Sequence, residues 1–561
     1  MIFLVFFSFV LCADDDISLT DDVGKAYQSM SEIPDPIELT EITGNIPEWL
    51  EGSIYRNGPG RYEYGNDTFK HLFDPSAMIQ KLKFENGSVF YQRRLINSTH
   101  TMRNLEEERI VLTEMGTWTE PENFGEIHAE DISMERCRHL YESFPTDNTV
   151  VSVYPIHGWI VAFTESPIIT LNDPETLETK HILDIRKASS YPEGLSLSTV
   201  LAHGVIDSNG DFWTFATGIM LPKFGFIPKV VYLALKISAS AKSEKSTPEE
   251  FLASISFSGY IFNEDERDLN MRYFHSFVQA SDDFLVLPFT SLELQPSALL
   301  ESCRNGNPPI EMMSFNKYNK GLYRIFDKKQ MKWYPKIFKS KETLQMHPIQ
   351  GFVDEESNEI VLDTLEIPNR QLIDDLFLEN LNKTGADLFD AYWSIIPVGV
   401  PVRYRMNMDN LNSMMEEEIN EEKLFDDDLE TFQAYTLGGT DFPAVDLTKI
   451  NEEQDDFWSQ GIGNLVADRI YHSKISTGER WVWRESGFSP SEPLFIRKPE
   501  SNNPLDGVVI SIVSPLEIDS RERAFVVILE PEDLKEIARI YFKEDVDIAL
   551  SFHGVFVPSK N

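Results

Sequence analysis

Short runs of β-branched and aromatic residues, each bounded by turn-forming residues, recur along this chain and constrain its fold more than any other feature. Ile168–Leu171 stops at Asn172-Asp173-Pro174, Trp213–Ala216 follows Asp207-Ser208-Asn209-Gly210, Gly507–Val513 follows Asn503-Pro504, and Arg523–Leu529 stops at Glu530-Pro531-Glu532-Asp533. Runs of this length between Gly, Pro, Asn and Asp read as strands. Asn172–Lys180, Ser476–Trp483 and Glu530–Ala538 share one form, a strand edge, a polar turn and a second strand, as outer hairpins of sheets repeated about an axis would. Helical patterns are few. The candidates are Asn369–Leu381, just after Pro368, and Leu411–Leu424, which overlaps Glu416–Glu430, a run of nine acidic residues and one Lys that reads as a solvated surface insertion. The expected fold is therefore all-β: a seven-bladed β-propeller with loop and short-helix insertions forming a cap over the top face. Radial repetition protects sheet edges without helices, and 561 residues give blades of about 80 residues each.

The last stretch, Leu550–Phe556, is an apolar run with one histidine at its centre, and a strand that reaches the chain end in this way is expected to close a sheet. Imidazole is costly to bury alone, so His553 should have partners. His203, His275 and His347 stand 72 and 72 residues apart, and His553 follows 206 residues later, close to three such intervals. Equal spacing is expected if each histidine stands on the inner strand of a different blade. Four imidazoles meeting on an axis make a neutral-ligand site for a divalent transition metal.

The formal charge of −42 argues against nucleic acid, whose phosphates would be repelled. Residues 1–13, MIFLVFFSFVLCA, are too short to span a bilayer and suit the apolar region of a signal peptide, followed by an N-terminal arm over 14–33 and a single propeller domain over 34–561. Cys137 and Cys303 then allow at most one internal disulfide, and Asn66, Asn86, Asn97 and Asn382 head N-glycosylation triplets. The expected location is the secretory pathway or the extracellular space, the alternative being a cytosolic protein at a membrane periphery. Zinc-protease, phosphate-loop and serine-hydrolase motifs are absent from the sequence.

Several longer motifs carry a resemblance. Glu51-Gly52-Ser53-Ile54-Tyr55-Arg56-Asn57-Gly58-Pro59-Gly60, His71-Leu72-Phe73-Asp74, Trp481-Val482-Trp483 through Pro490-Ser491-Glu492-Pro493, and Ser551-Phe552-His553-Gly554 resemble signatures of the carotenoid cleavage oxygenases, the family of β-carotene oxygenases and the retinoid isomerohydrolase. The resemblance runs from about Pro34 to the C-terminus. It implies a seven-bladed propeller with Fe(II) held on its axis by four histidines, at positions matching His203, His275, His347 and His553. It also implies carboxylates behind three ligands, matched by Glu165, Glu492 and Asp441, the last where the family has Glu, and a cavity tyrosine matched by Tyr273. The chain departs from the family around the third ligand, with Met346-His347-Pro348-Ile349-Gln350-Gly351 in place of F-H-H-x-N-A. Gly204 also stands where Pro is common, and Thr119–Phe124 replaces the P-D-P-C-K loop.

The implied activity is an Fe(II)-dependent dioxygenase that cleaves a C=C bond of a carotenoid or apocarotenoid with O2, giving aldehyde or ketone products. The alternatives are a retinyl-ester isomerohydrolase-like enzyme and a non-catalytic carotenoid-binding propeller. A carotenoid, apocarotenoid or retinoid substrate must leave a membrane, and Ile219–Lys229, apolar with Lys223 and Lys229, is a candidate for peripheral contact.

Overall fold

In a computed structural model the described residues are 27–122, 124–221, 228–240, 245–263, 268–367, 369–381, 399–424, 439–462, 467–517 and 520–559. The expected signal segment, the first part of the arm, Asn382 and residues 222–227 of the candidate membrane loop lie outside them.

Among the described residues, seven sheets of four or more strands follow one another along the chain, beside a three-stranded sheet and a two-stranded hairpin. Sheet 1 runs Ile33–Glu38, Ser88–Leu95, Ser76–Glu85, Gly52–Arg61 and His553–Pro558, so its last strand comes from the chain end. Sheets 2 to 6 begin at Ser152–Ile156, Leu195–Val200, Val278–Gln279, Leu344–Asp354 and Thr440–Ala444, and most of their strands follow in sequence order. Sheet 7 starts at Phe488–Pro490 and ends with Glu41–Gly44 from the N-terminal side. The first and last described strands are thus built into sheets with distant partners. The antiparallel register Asn57↔His553 through Gly52↔Pro558 makes the expected closing strand.

Apolar clusters join each sheet to its neighbour. One packs Ile79, Ile160 and Leu233 of sheets 1, 2 and 3 together; others join Phe215 to Leu285, Ile325 to Leu362, Leu365 to Phe457 and Ile470 to Val527. A further cluster sets Ile510 of sheet 7 against Ile54 of sheet 1, so the packing returns to its start. Each sheet buries both faces, which explains all-apolar runs such as Trp159–Phe163 and Phe525–Leu529.

The arginine–asparagine–glycine motif of the first sheet has a packing role. Asn57 donates its side-chain amide to the Thr149 carbonyl at 2.7 Å and accepts the Phe552 amide at 2.8 Å, and a Cβ on Gly58 would lie 2.5 Å from the Leu550 carbonyl oxygen. Only glycine lets the terminal segment cross so close.

The three expected outer hairpins are present, as Ile168–Asn172 with Thr179–Asp184, Ala467–Lys474 with Arg480–Trp483, and Phe525–Leu529 with Glu536–Tyr541. Two helix expectations need correction. Leu411–Leu424 holds no helix: Glu416–Glu418 pairs in parallel with Ile337–Lys339, and Asn420–Lys423 pairs with Val402–Arg405. A helix would stack its acids one turn apart, at a cost, whereas the strands set Glu416, Glu417, Glu418 and Glu421 against Lys339, Lys336, Lys320 and Lys341 at 2.5, 2.8, 2.8 and 2.6 Å. This described part of the acidic run is therefore a strap along two sheets. Asn369–Leu381 is two short helices, Gln371–Asp375 and Leu378–Leu381. The break occurs where backbone bonds from Leu72 to Leu376 and from Leu378 to Lys70 draw the chain onto the His71 segment.

In that segment Asp74 is fully buried and accepts from the Thr117 hydroxyl at 2.6 Å and the Gly116 amide at 3.1 Å. Burial pushes its carboxyl up from 3.8 to about 7. A carboxyl raised on folding contributes stability that is full below about pH 4 and is lost as pH rises through about 7. Asp74→Asn is therefore expected to flatten the fall in melting temperature across that window, an effect on the order of a few kcal/mol; an unchanged slope would refute it.

Candidate metal centre

The four expected histidines meet, and each belongs to a different sheet. His203 lies between Leu195–Val200 and Val205–Ile206 of sheet 3, and His275 just before Val278–Gln279 of sheet 4. His347 is within Leu344–Asp354 of sheet 5, and His553 opens the terminal strand of sheet 1. All four stand at or beside the first-edge strand of their sheet. The remaining sheets supply the three carboxylates: Glu165 follows Trp159–Phe163 of sheet 2, Asp441 is in Thr440–Ala444 of sheet 6, and Glu492 follows Phe488–Pro490 of sheet 7.

The ligand atoms of His203, His275 and His347 lie within 4.8 Å of one another. His553 Nε2 stands 2.9 Å from His203 Nε2 and 3.2 Å from His347 Nε2. Two ligands at right angles on an ion about 2.1 Å away would stand about 3 Å apart, so the spacing suits a common ion.

Hydrogen bonding fixes the rings. His347 Nδ1 donates to Asp441 Oδ1 at 2.7 Å and His553 Nδ1 donates to Glu492 Oε1 at 2.9 Å. A carboxylate only accepts, so each Nδ1 carries a proton and Nε2 is the ring atom turned to the other histidines. Burial, and then the neighbouring imidazoles, hold His203 and His275 well below the usual imidazole range, leaving these two rings neutral. Four imidazole nitrogens with no carboxylate oxygen among them fit a transition metal.

Asp441 reaches its histidine despite being one methylene shorter than glutamate. Its Oδ1 also accepts the Phe442 amide at 2.9 Å, and Phe442 sits in the left-handed region at φ 51°. Glu492 clasps two successive groups, with Oε2 accepting the Gly554 amide at 2.8 Å. Behind it lies Arg56, 1 % exposed, which donates to the Glu492 carbonyl and places Nη1 3.7 Å from Glu492 Oε2.

Glu165 behaves differently. Among the described residues no hydrogen bond joins it to a histidine and its Oε1 is buried without a partner, as is His203 Nδ1, and burial pushes its carboxyl up to about 7. His275 Nδ1 instead meets the Tyr273 hydroxyl at 2.7 Å. Glu165 and Tyr273 line a small cavity with Leu201, Met271, Phe274 and Leu294.

The departures around the first and third histidines are compensated locally. A Cβ at Gly204 would lie 2.1 Å from the Phe212 ring, and its amide donates to the Tyr154 hydroxyl at 2.9 Å, a bond that proline could not make. Gln350 donates to Asp363 at 2.7 Å and to the Gln454 carbonyl at 2.8 Å, tying sheet 5 to sheet 6 behind His347. Phe442, which the sequence did not single out, packs its ring 4.8 Å from that of His347 and 5.2 Å from that of His553. Its only signal was its place directly after Asp441. Arg56 was recognisable as part of a motif, but its contact with Glu492 spans 436 residues of sequence.

The chain is similar to known proteins over most of its length. The family model described as retinal pigment epithelial membrane protein matches residues 27–558. Among curated relatives, the rat β,β-carotene 15,15′-dioxygenase is 26% identical over 534 residues, covering 93% of this chain and 89% of the relative. The mitochondrial carotenoid-cleaving dioxygenase of Mustela putorius furo is 24% identical over 569 residues, covering 94% and 95%. Among solved structures, a variant of the Synechocystis apocarotenoid oxygenase superposes with a TM-score of 0.72 at 15% identity, covering 97% of this chain and 99% of that one. A cobalt-substituted form of the same oxygenase gives 0.71 at 16% identity with the same coverage.

Proposed function

The chain belongs to the carotenoid cleavage oxygenase family, and from this premise we propose that it is an iron(II) dioxygenase that cleaves one C=C bond of a carotenoid or apocarotenoid into two carbonyl products. The observation that carries the reading is the meeting of four imidazoles from four sheets, two of them fixed by carboxylates. The seven sheets, packed each to the next and last to first, we read as seven blades, with the helices Ile132–Ser143 and Pro296–Asn305 as part of a cap.

Bound by His203, His275, His347 and His553, iron(II) would supply the activation of O2 that splitting a double bond requires. The protein's own share is positioning. Asp441 and Glu492 hold two rings in one tautomer and raise their basicity, and the Tyr273 hydroxyl orients a third. Leu201, Met271, Phe274 and Leu294 offer an apolar wall that aligns a polyene and keeps water from the reacting bond. The family match equally covers a retinoid isomerohydrolase, so hydrolysis of a retinyl ester is the second reading.

Anaerobic purification with metal analysis, then turnover of β-carotene or an apocarotenoid under labelled O2, tests both. We expect iron in the folded protein and label in the carbonyl products. Unlabelled retinoid alcohol from a retinyl ester would favour the second reading, and iron-free folded protein would overturn both in favour of a binding propeller.

A water-insoluble substrate requires a route from lipid, and we assign it to Ile219–Lys229. Of its described residues, Leu221 is 57 % exposed, and no helix among the described residues is long and apolar enough to cross a membrane. Phe224→Glu with Phe226→Glu is expected to lower co-sedimentation with liposomes several-fold by placing charge among apolar side chains at the interface; unchanged binding would remove the assignment.

A further inference from the structure

We propose that this protein matures in an oxidising, glycosylating compartment, where Cys137 and Cys303 close a structural disulfide and Asn66, Asn86 and Asn97 accept N-linked oligosaccharides. The inference is independent of the reaction assigned above.

Cys137, on the helix Ile132–Ser143, and Cys303, on the helix Pro296–Asn305, are bonded across 166 residues of sequence with their Cα atoms 4.9 Å apart. That separation lies inside the range a disulfide spans without moving the backbone. The first helix belongs to the segment between sheets 1 and 2, the second to a segment inside sheet 4, so the bond pins two insertions that no sheet ladder among the described residues connects. The chain has three cysteines in all, and the two beyond residue 12 face each other. Reducing compartments keep such pairs as thiols, and a structural disulfide is characteristic of chains that fold where oxidant is supplied.

The glycosylation triplets give a second, separate line. The ladder pairs Tyr64 with Asp67 and Glu85 with Ser88, which leaves Gly65-Asn66 and Asn86-Gly87 as two-residue hairpin tips. Asn86 and Gly87 both have positive φ, 51° and 76°, as this tight turn requires. Asn97 stands just before Ser98, the residue that caps the helix Thr99–Glu107. All three asparagines are exposed and none lies within a strand. Acceptor triplets that fall at random would also land on buried strands, whereas every described one here is on a tip or loop that a transferase can reach.

The chemistry balances with donors of known class. Closing the disulfide removes two electrons and two protons from the thiols, and the disulfide of a protein oxidoreductase takes them up as its dithiol. In glycan transfer the asparagine amide nitrogen bonds to the anomeric carbon of a lipid-pyrophosphate oligosaccharide, the amide loses a proton, and the lipid pyrophosphate departs with the bonding electron pair.

The full chain with its own N-terminus, produced in a eukaryotic host, tests the proposal. The protein is acid-quenched, alkylated before and after reduction, and treated with peptide N-glycosidase in ¹⁸O water before peptide mass spectrometry. The expected result is alkylation of Cys137 and Cys303 only after reduction, and ¹⁸O-labelled Asp at the three acceptor positions. Label at one or two of them still supports the proposal and identifies the tips used. Thiols that alkylate without reduction, or three unconverted asparagines, would overturn it. Removing the acceptor triplets with Thr68→Ala, Ser88→Ala and Thr99→Ala should abolish the label while leaving the disulfide intact.

Discussion

Alanine at position 553 is expected to empty the proposed iron site while leaving the fold in place. His553 Nε2 lies 2.9 Å from His203 Nε2 and 3.2 Å from His347 Nε2, so it is the ring that links two others. Loss of an outer group behind a metal ligand typically costs about 10–100-fold in affinity, and loss of the ligand itself should cost more. The backbone ladder from Gly52 to Asn57 does not depend on the imidazole, and Glu492 keeps the Gly554 amide and Arg56 as partners. Metal analysis should therefore find iron falling more than about 100-fold in affinity, with turnover lost and the unfolding transition nearly unmoved. His128→Ala, at an exposed histidine away from the cluster, should retain full iron. Wild-type iron content in His553→Ala would dismiss the four-histidine assignment.

The second large effect is expected at Asp441. Asp441→Ala removes the acceptor of the His347 Nδ1 proton, frees the ring to rotate and to change tautomer, and should lower iron affinity about 10–100-fold. Asp441→Glu, which restores the residue type common in the family, should not improve on the native residue. Asp441 is 5 % exposed and already makes its contact at 2.7 Å, so another methylene would be forced into a filled space at about 1–3 kcal/mol. Iron titration of the two variants beside the native protein decides this, and equal affinity in Asp441→Ala would show that His347 needs no carboxylate.

The acidic run shows why some elements were misread. Glu416–Glu418 looks like a solvated helix face when the sequence is read locally, because its partners Lys320, Lys336 and Lys339 lie some 80 to 100 residues earlier. Long-range pairing overrode local propensity there. The break after Asp375 has the same origin, in backbone bonds to Leu72 and Lys70. The hairpins at Asn172–Lys180 and Glu530–Ala538 were legible because turn chemistry and pairing are both local.

Within the candidate site the same division holds. The four histidines were visible through spacing and motif, and Glu492 through its motif. That Tyr273, and not Glu165, meets His275 was not visible, because both residues are plausible partners until the cavity between sheets 2 and 3 and the three-stranded sheet is formed. By itself the sequence determined a mostly β chain of strands and turns, with four histidines at intervals suited to separate sheets. Only the tertiary structure decided which ring nitrogens face one another and which groups hold them, because those contacts, apart from Tyr273 with His275, join residues 61 to 436 positions apart. Closure of the first and last described strands into sheets 1 and 7 brings such residues within hydrogen-bond distance, and no local propensity records that closure.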